Sequence, residues 1–423
     1  MKKNKLWLGY RASVMAMAAV LPLLAAHGQT VPAQNVSDIA TVTSGALSTY
    51  PADFTLLDTR LFFTATDKHG NRGVYIKDLV ETDGTTLSPT VWTGKGNTPK
   101  LLKNFKLAAG FSDMDQFTAT ETNGLPKTGK LYFHVPGSGL WMTYGKTPVL
   151  LGKFDNVKAL SVDKVTSMIS AQAESVTPVV YFGGWSSKKG QEPYRSEGTV
   201  PKTKIVDDIA TGAASSGPDE FVELMQGETS TVFFRATPTG STRPQIWQTN
   251  TSTLSQTGTV AQASPVLSST LGTPQELVTS TDIGSTGGCY FVMPTTNSSG
   301  VPELWSTTAA PGTAIALTSS GADPLYLTEF PANSDSVMFS GSDSVNGRQI
   351  WEANSLIGGG ALLDIINPNG SANPVNLTAA ASEFYYAATA PDPNSTATGQ
   401  FLFVTDGGDR CACGFCCYDV FRW

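Results

Sequence analysis

The chain runs to 423 residues at a formal net charge of −7, and only 15% of its residues are charged. An acidic surface does not neutralise phosphates or anionic lipid, which excludes sequence-independent nucleic-acid binding and attachment to an anionic membrane. Ser, Thr, Gly, Asn and Pro are abundant, and beyond residue 28 no long stretch places Glu, Lys, Leu and Ala at helical spacing, so the composition predicts many short strands joined by polar turns.

At the N-terminus, Lys2, Lys3, Lys5 and Arg11 form a basic region around the start of an apolar run from Ala12 to Ala26. Ala26 and Gly28 stand where a signal peptidase would cut before Gln29. This predicts a signal peptide over 1–28, of the Gram-negative export type, and a secreted or periplasmic protein. The run is short for a membrane span, no other long apolar stretch follows, and no cysteine sits at the cleavage point to carry a lipid, so no membrane insertion is expected. Removing the four basic residues takes the net charge from −7 to −11.

One phrase recurs over residues 29–408. Pro-x-x-(Leu or Phe) marks its starts at Pro51, Pro99, Pro218, Pro274, Pro324 and Pro374, and Val157 with Leu160 fills the slot between Pro99 and Pro218 without a proline. The starts are about 48 to 61 residues apart, the period of propeller blades. Inside each unit one strand carries an aromatic at Phe63, Phe133, Phe182, Phe234, Phe291, Phe339 and Tyr386. The next carries one at Tyr75, Trp141, Tyr194, Trp247, Trp305, Trp351 and Phe403. Gly, Asn, Asp and Ser between them suit tight hairpins. A single meander cannot cover both of its own faces, so an all-β, seven-bladed β-propeller of antiparallel meander repeats is predicted, each blade covering the next. In the second unit the stretch from Ser112 to Lys127 reads as an inserted loop on one face. The Asp-Ile pair that ends an outer strand at Asp208-Ile209 and Asp364-Ile365 also occurs at Asp38-Ile39, ahead of the first unit. Residues 35 to 40 are therefore expected to complete the last blade and close the ring.

The run Gly300-Val301-Pro302-Glu303-Leu304-Trp305-Ser306-Thr307, with Pro311-Gly312-Thr313 after it, resembles the ELWxxDGT repeats of exported bacterial proteins. Gln191 to Thr199, Gly347 to Trp351 and Val404 to Gly408 resemble the same repeat. The resemblance implies a propeller and an extracellular interaction, and it names no ligand. Three units depart from the pattern: Tyr75 replaces the tryptophan, the turn before Trp141 is short, and the fourth unit lacks the Asp-Gly-Thr turn.

Few residues suggest chemistry, and no catalytic residue is assigned. His69, in Asp67-Lys68-His69-Gly70, reads as a turn residue, and His134 as one that faces a blade interface or the central channel. No Gly-x-Ser-x-Gly elbow supports a serine triad. Asp113, Asp115, Asp207 and Asp208 read as solvated turn acids, although paired acids are also the machinery of sugar hydrolysis. No calcium-loop pattern occurs and no cofactor is predicted, with calcium in the loops left open. Trp92 and Trp185 fall outside the aromatic columns and are candidates for a ligand surface. Cys289 reads as a core residue. Cys411, Cys413, Cys416 and Cys417 form a Cys-rich tail over 409–423 and are disulfide candidates; a metal site and an aberrant end to the reading frame are the other readings. The expected function is an exported binding or scaffold module, with a glycan or protein ligand on one propeller face or a place in an envelope assembly. The alternative is a secreted propeller enzyme, a hydrolase or lyase acting on polysaccharide.

Overall fold

The computed structural model describes residues 50–57, 60–67, 69–78, 99–107, 109, 111–120, 129–154, 158–161, 179–226, 229–250, 261–262, 275–279, 288–293, 301–307, 315–318, 322–329, 336–354, 359–380, 383–391 and 398–405. They build seven antiparallel sheets in chain order. The first blade is β1 (Ala52–Leu57), β2 (Arg60–Thr66), β3 (Arg72–Asp78) and β4 (Lys100–Phe105). The second is β5 (Asp115–Thr120), β6 (Lys130–Val135), β7 (Gly139–Thr143) and β8 (Val149–Gly152). The third is β9 (Lys158–Ser161), β10 (Val180–Ser186), β11 (Gly190–Ser196) and β12 (Thr203–Ile205). The fourth is β13 (Asp219–Gln226), β14 (Thr229–Ala236), β15 (Gln245–Asn250) and β16 (Ala261–Gln262). The fifth is β17 (Gln275–Thr279), β18 (Cys289–Met293), β19 (Glu303–Thr307) and β20 (Ile315–Ala316). The sixth is β21 (Leu325–Glu329), β22 (Ser336–Asp343), β23 (Gly347–Asn354) and β24 (Gly359–Asp364). The seventh is β25 (Val375–Ala380), β26 (Glu383–Pro391) and β27 (Thr398–Thr405). First strands adjoin one another in succession, β1 to β5 and so on to β25, which makes them the inner strands of a seven-bladed propeller. The closing segment 35–40, the signal peptide 1–28 and the tail 409–423 lie outside the described residues.

The two aromatic columns meet in register. Phe63 lies opposite Tyr75, Phe133 opposite Trp141, Phe182 opposite Tyr194, Phe234 opposite Trp247, Phe291 opposite Trp305, Phe339 opposite Trp351, and Tyr386 opposite Phe403. Strand alternation then sets a second column one residue earlier on the opposite face. Phe133 packs back on Phe62 and Val74 of the first blade, while Tyr132 packs forward on Val180 and Phe182 of the third. Tyr181 and Phe234 share the next interface, Phe233 and Phe291 the one after, then Tyr290 and Phe339, then Met338 and Tyr386. From the second blade to the sixth, the second strand thus supplies a large side chain to both neighbouring blades.

Pro99 does not open the second unit. Residues 100–105 are the outermost strand of the first blade, and the second begins at β5, so the expected insertion contains the inner strand of that blade. Met114-Asp115-Gln116-Phe117 does the work of Pro-x-x-Phe without a proline, whereas Pro99 and Leu102 match the pattern from an outer strand. Buried Met114 occupies the place that buried Pro218, Pro324 and Pro374 hold in their blades.

Loops between blades are held down by buried polar side chains two residues before the outer aromatic. Glu192 is fully buried and accepts from the backbone amides of Ile209 (3.0 Å), Ala210 (3.2 Å) and Ser216 (3.1 Å) and from the Ser216 hydroxyl (2.7 Å). Gln349 does the same job in the sixth blade. Its Oε1 accepts from the amides of Ile366 (3.0 Å) and Asn367 (3.3 Å), and its Nε2 donates to the carbonyls of Asn346 (2.8 Å), Asn367 (3.1 Å) and Gly370 (2.8 Å). The neighbouring backbone also presses on the start of the third strand. At Gly190 (φ +63°) a Cβ would lie 1.9 Å from the carbonyl oxygen of Ala214, in the loop that Glu192 holds, and at Gly139 (φ +117°) 2.0 Å from that of Gly152 in β8, so only glycine fits either place.

Replacing Glu192 with Ala strands several buried donors, and a loss of about 3 kcal/mol is expected in urea unfolding. Burial raises the Glu192 carboxyl above its ordinary value, against the opposing pull of the Ser216 hydroxyl and the amides of Ala210, Ser216 and Ile209. A folded-state pKa above the unfolded one favours the fold below the unfolded value, and that contribution disappears as pH rises through the folded value. Glu192→Gln is therefore expected to flatten the weakly acidic part of the stability–pH curve, read from thermal melts.

Candidate functional site

The inner strands all begin on one face of the ring, and in six of them the bulge residue there is wound the wrong way for an L-amino acid. Asp53 (φ +54°), Gln116 (+56°), Glu220 (+50°), Glu276 (+53°), Tyr326 (+60°) and Asn376 (+55°) each stand second in their strand, at a register shift against the next strand. A bulge opens the ladder and turns the strand end away from the sheet. Six side chains in a region that few non-glycine residues occupy mark this mouth as a place where backbone strain has been retained. None of the six is basic.

Between the first and second blades a network centres on Arg72. Its Nε donates to Asp113 Oδ1 (2.9 Å) and its Nη2 to Thr64 Oγ1 (2.7 Å), with further bonds to Asp113 Oδ2 and the Tyr50 carbonyl. Thr64 in turn donates to Asp53 Oδ2 (2.9 Å). Burial is the largest influence that raises the Asp53 carboxyl, the charges of Asp113 and Asp115 raise it further, and the Thr64 hydrogen bond and Arg72 pull the other way. Asp53 has no ion-pair partner among the described residues. Three large aromatic residues close in sequence to this network are exposed: Tyr50 (69%), whose carbonyl accepts from Arg72, Phe54 (61%), which follows Asp53 and stacks on Phe63, and Phe111 (57%), two residues before Asp113.

Asp115 Oδ1 lies 2.7 Å from His134 Nδ1, across the β5–β6 pair. His134 is buried, and its Nε2 meets no hydrogen-bond partner. Among the described residues this histidine is oriented by an aspartate and bonded to no hydroxyl or thiol, so no serine-type triad is assembled among them.

Two more Asp–Arg pairs fasten the same face elsewhere. Arg235 Nε and Nη2 donate to Asp219 Oδ1 and Oδ2, each at 2.8 Å, and Nη2 lies 3.1 Å from Glu220 Oε1. Arg348 Nη2 pairs with Asp323, while its Nη1 donates to the carbonyls of Asp323 (2.9 Å) and Ser340 (2.8 Å). These guanidiniums have their donors engaged by the protein and serve as fasteners.

The other sequence candidates separate from the mouth. His69 sits exposed in a turn where Asp67 accepts from its amide (2.8 Å) and from that of Asn71 (2.9 Å). Asp208 pairs with Lys189 beside the third blade, and Trp185 is half-buried opposite Gln191. Cys289 is fully buried in β18, and burial pushes its thiol up, out of reactive range. Trp92 and Cys411, Cys413, Cys416 and Cys417 lie outside the described residues. Among the described residues no group of three or more His, Cys, Asp or Glu side chains is arranged to hold a metal ion, and no helix is long and apolar enough to cross a membrane. Sequence reasoning passed over Arg72, Asp53, Glu220 and Glu276. The signal for the acids was the residue just before the Leu or Phe of each Pro-x-x-(Leu or Phe).

No family model matches the chain, and no curated protein matches it. Among solved structures it is similar to prolyl oligopeptidase B from Galerina marginata (TM-score 0.43, 11% identity, 88% of this chain and 50% of that one). A puromycin hydrolase gives a TM-score of 0.40 at 10% identity, over 85% of this chain and 52% of that one. The β-propeller domain of the Trilobed protease from Pyrococcus furiosus, described as having an open velcro topology, gives 0.37 at 8% identity, over 86% of this chain and 97% of that domain. The chain thus spans about half the length of the first two proteins.

Arg72→Ala leaves Asp113 without its partner, and a loss of about 3 kcal/mol is expected in urea unfolding. Arg72→Lys is expected to recover less than half of it, because an ammonium cannot make the two-pronged contact.

Proposed function

We propose that this chain is an exported binding or scaffold module whose ligand meets the face on which the inner strands begin. The observation that carries this reading is that the exposed residues Tyr50, Phe54 and Phe111 stand within three residues of Asp53 or Asp113, acids held in the network that Arg72 and Thr64 fix. Rings and carboxylates on a rigid floor suit a glycan, by stacking and by hydrogen bonds to hydroxyls, or a protein segment that fills the mouth. The basic region and apolar run at the N-terminus and the resemblance to exported ELWxxDGT repeat proteins support the export half of the reading.

A second reading, a polysaccharide-cleaving propeller enzyme, is favoured by one feature: the raised Asp53 carboxyl beside Asp115, a pair of acids with distinct surroundings. One screen separates the two. Residues 29–423 are presented to glycan arrays and soluble polysaccharides, with bound ligand and released fragments both measured. Retention without fragments is expected, and Phe54→Ala with Phe111→Ala should weaken it about tenfold or more while leaving the melting temperature in place. Fragment release that disappears in Asp53→Asn would establish the enzyme instead.

A further inference from the structure

Each bulge leaves the amide after it outside its own sheet ladder. Pairing passes from Gln275↔Val292 to Val278↔Tyr290 in the fifth blade, and from Leu325↔Ser340 to Thr328↔Met338 in the sixth. The amides of Leu277 and Leu327 fall in those gaps, both residues are buried, and a buried amide requires an acceptor. In both cases the acceptor comes from the bulge residue of the preceding blade. Leu277 N–H donates to Glu220 Oε2 (3.3 Å) and Leu327 N–H to Glu276 Oε2 (3.1 Å). The fourth blade is thereby tied to the fifth, and the fifth to the sixth, by the same atoms at the same strand position.

Two other residues at the equivalent position make no such bond. Asp53, one methylene shorter at the equivalent position, bonds Thr64 of its own sheet, and Tyr326 carries no carboxylate. The sixth blade reaches the seventh differently, through Thr328 Oγ1 donating to the Leu377 carbonyl at 3.4 Å.

We propose that Glu220 and Glu276 are interblade latches that join the inner strands of the fourth, fifth and sixth blades into one arc of the channel wall. The charged and titratable groups facing Glu220 are Arg235 at 3.1 Å, Asp219, Glu276 and the thiol of Cys289. Burial raises its carboxyl above the ordinary value, partly offset by Arg235 and the Leu277 amide. With the carboxyl raised in the buried, latched state, the stability contribution of Glu220 is present in acid and is lost as pH rises through the folded value.

Hydrogen exchange of residues 29–423, resolved to the Leu277 and Leu327 amides, tests this directly. Glu220→Ala is expected to raise exchange at Leu277 about tenfold and leave Leu327 unchanged, and Glu276→Ala to do the reverse. Glu220→Gln keeps an acceptor and should keep protection at Leu277. If an Ala variant does not fold, Glu220→Asp and Glu276→Asp shorten the reach by one methylene and should release the same single amides. Equal protection at Leu277 and Leu327 in wild type and in the Ala or Asp variants would overturn the proposal.

Discussion

Everything in this molecule depends on covering both faces of a small sheet. A four-stranded meander with apolar side chains on each side cannot leave either in water, and one chain can cover both only by placing another sheet on each. From the second blade to the sixth, the second strand meets that demand with adjacent large residues, Tyr132 and Phe133 or Tyr290 and Phe291, one committed to each neighbour. The aromatic opposite in the third strand widens the contact to the preceding blade. Blade orientation, ring order and the convergence of the inner strands follow from that alternation.

Once the faces are covered, the remaining difficulty is the backbone that must leave one sheet and enter the next. Those connections bury amides and carbonyls away from water, and each needs a partner. Glu192 and Gln349 solve the same problem with different chemistry. The carboxylate accepts from three amides and a hydroxyl, while the carboxamide accepts from two amides and donates to three carbonyls. Glutamine carries no charge into the interior and so escapes the desolvation that raises the carboxyl of Glu192. The Asp–Arg pairs at 113 and 72, 219 and 235, and 323 and 348 fix the same connections from the ring's face.

With its basic groups occupied in this way, the mouth presents a composition unlike that of the chain as a whole. Bulge positions offer acids, amides and a tyrosine, and Tyr50, Phe54 and Phe111, close in sequence to Asp53 and Asp113, are exposed. The proposed ligand face is thus assembled from segments distant in sequence.

The sequence by itself determined the architecture, because the fold is written as a local repeat. The aromatic pairs from Phe63 and Tyr75 to Tyr386 and Phe403 could be read at fixed spacing, and their registers in the structure are those pairs. It misled at Pro99, where a surface match to the repeat outweighed the true inner strand at Asp115, since a proline is easier to see than the buried methionine that replaces it. The mouth was only half legible. Asp113, Asp115 and His134 were noticed as residue types, but their roles depend on partners up to 41 positions away, as with Arg72 and Asp113. Which acid is fastened, which is left beside exposed rings, and which reaches across to a neighbouring blade are decided by side-chain length and by the relative placement of strands. Those quantities exist only once the ring has formed.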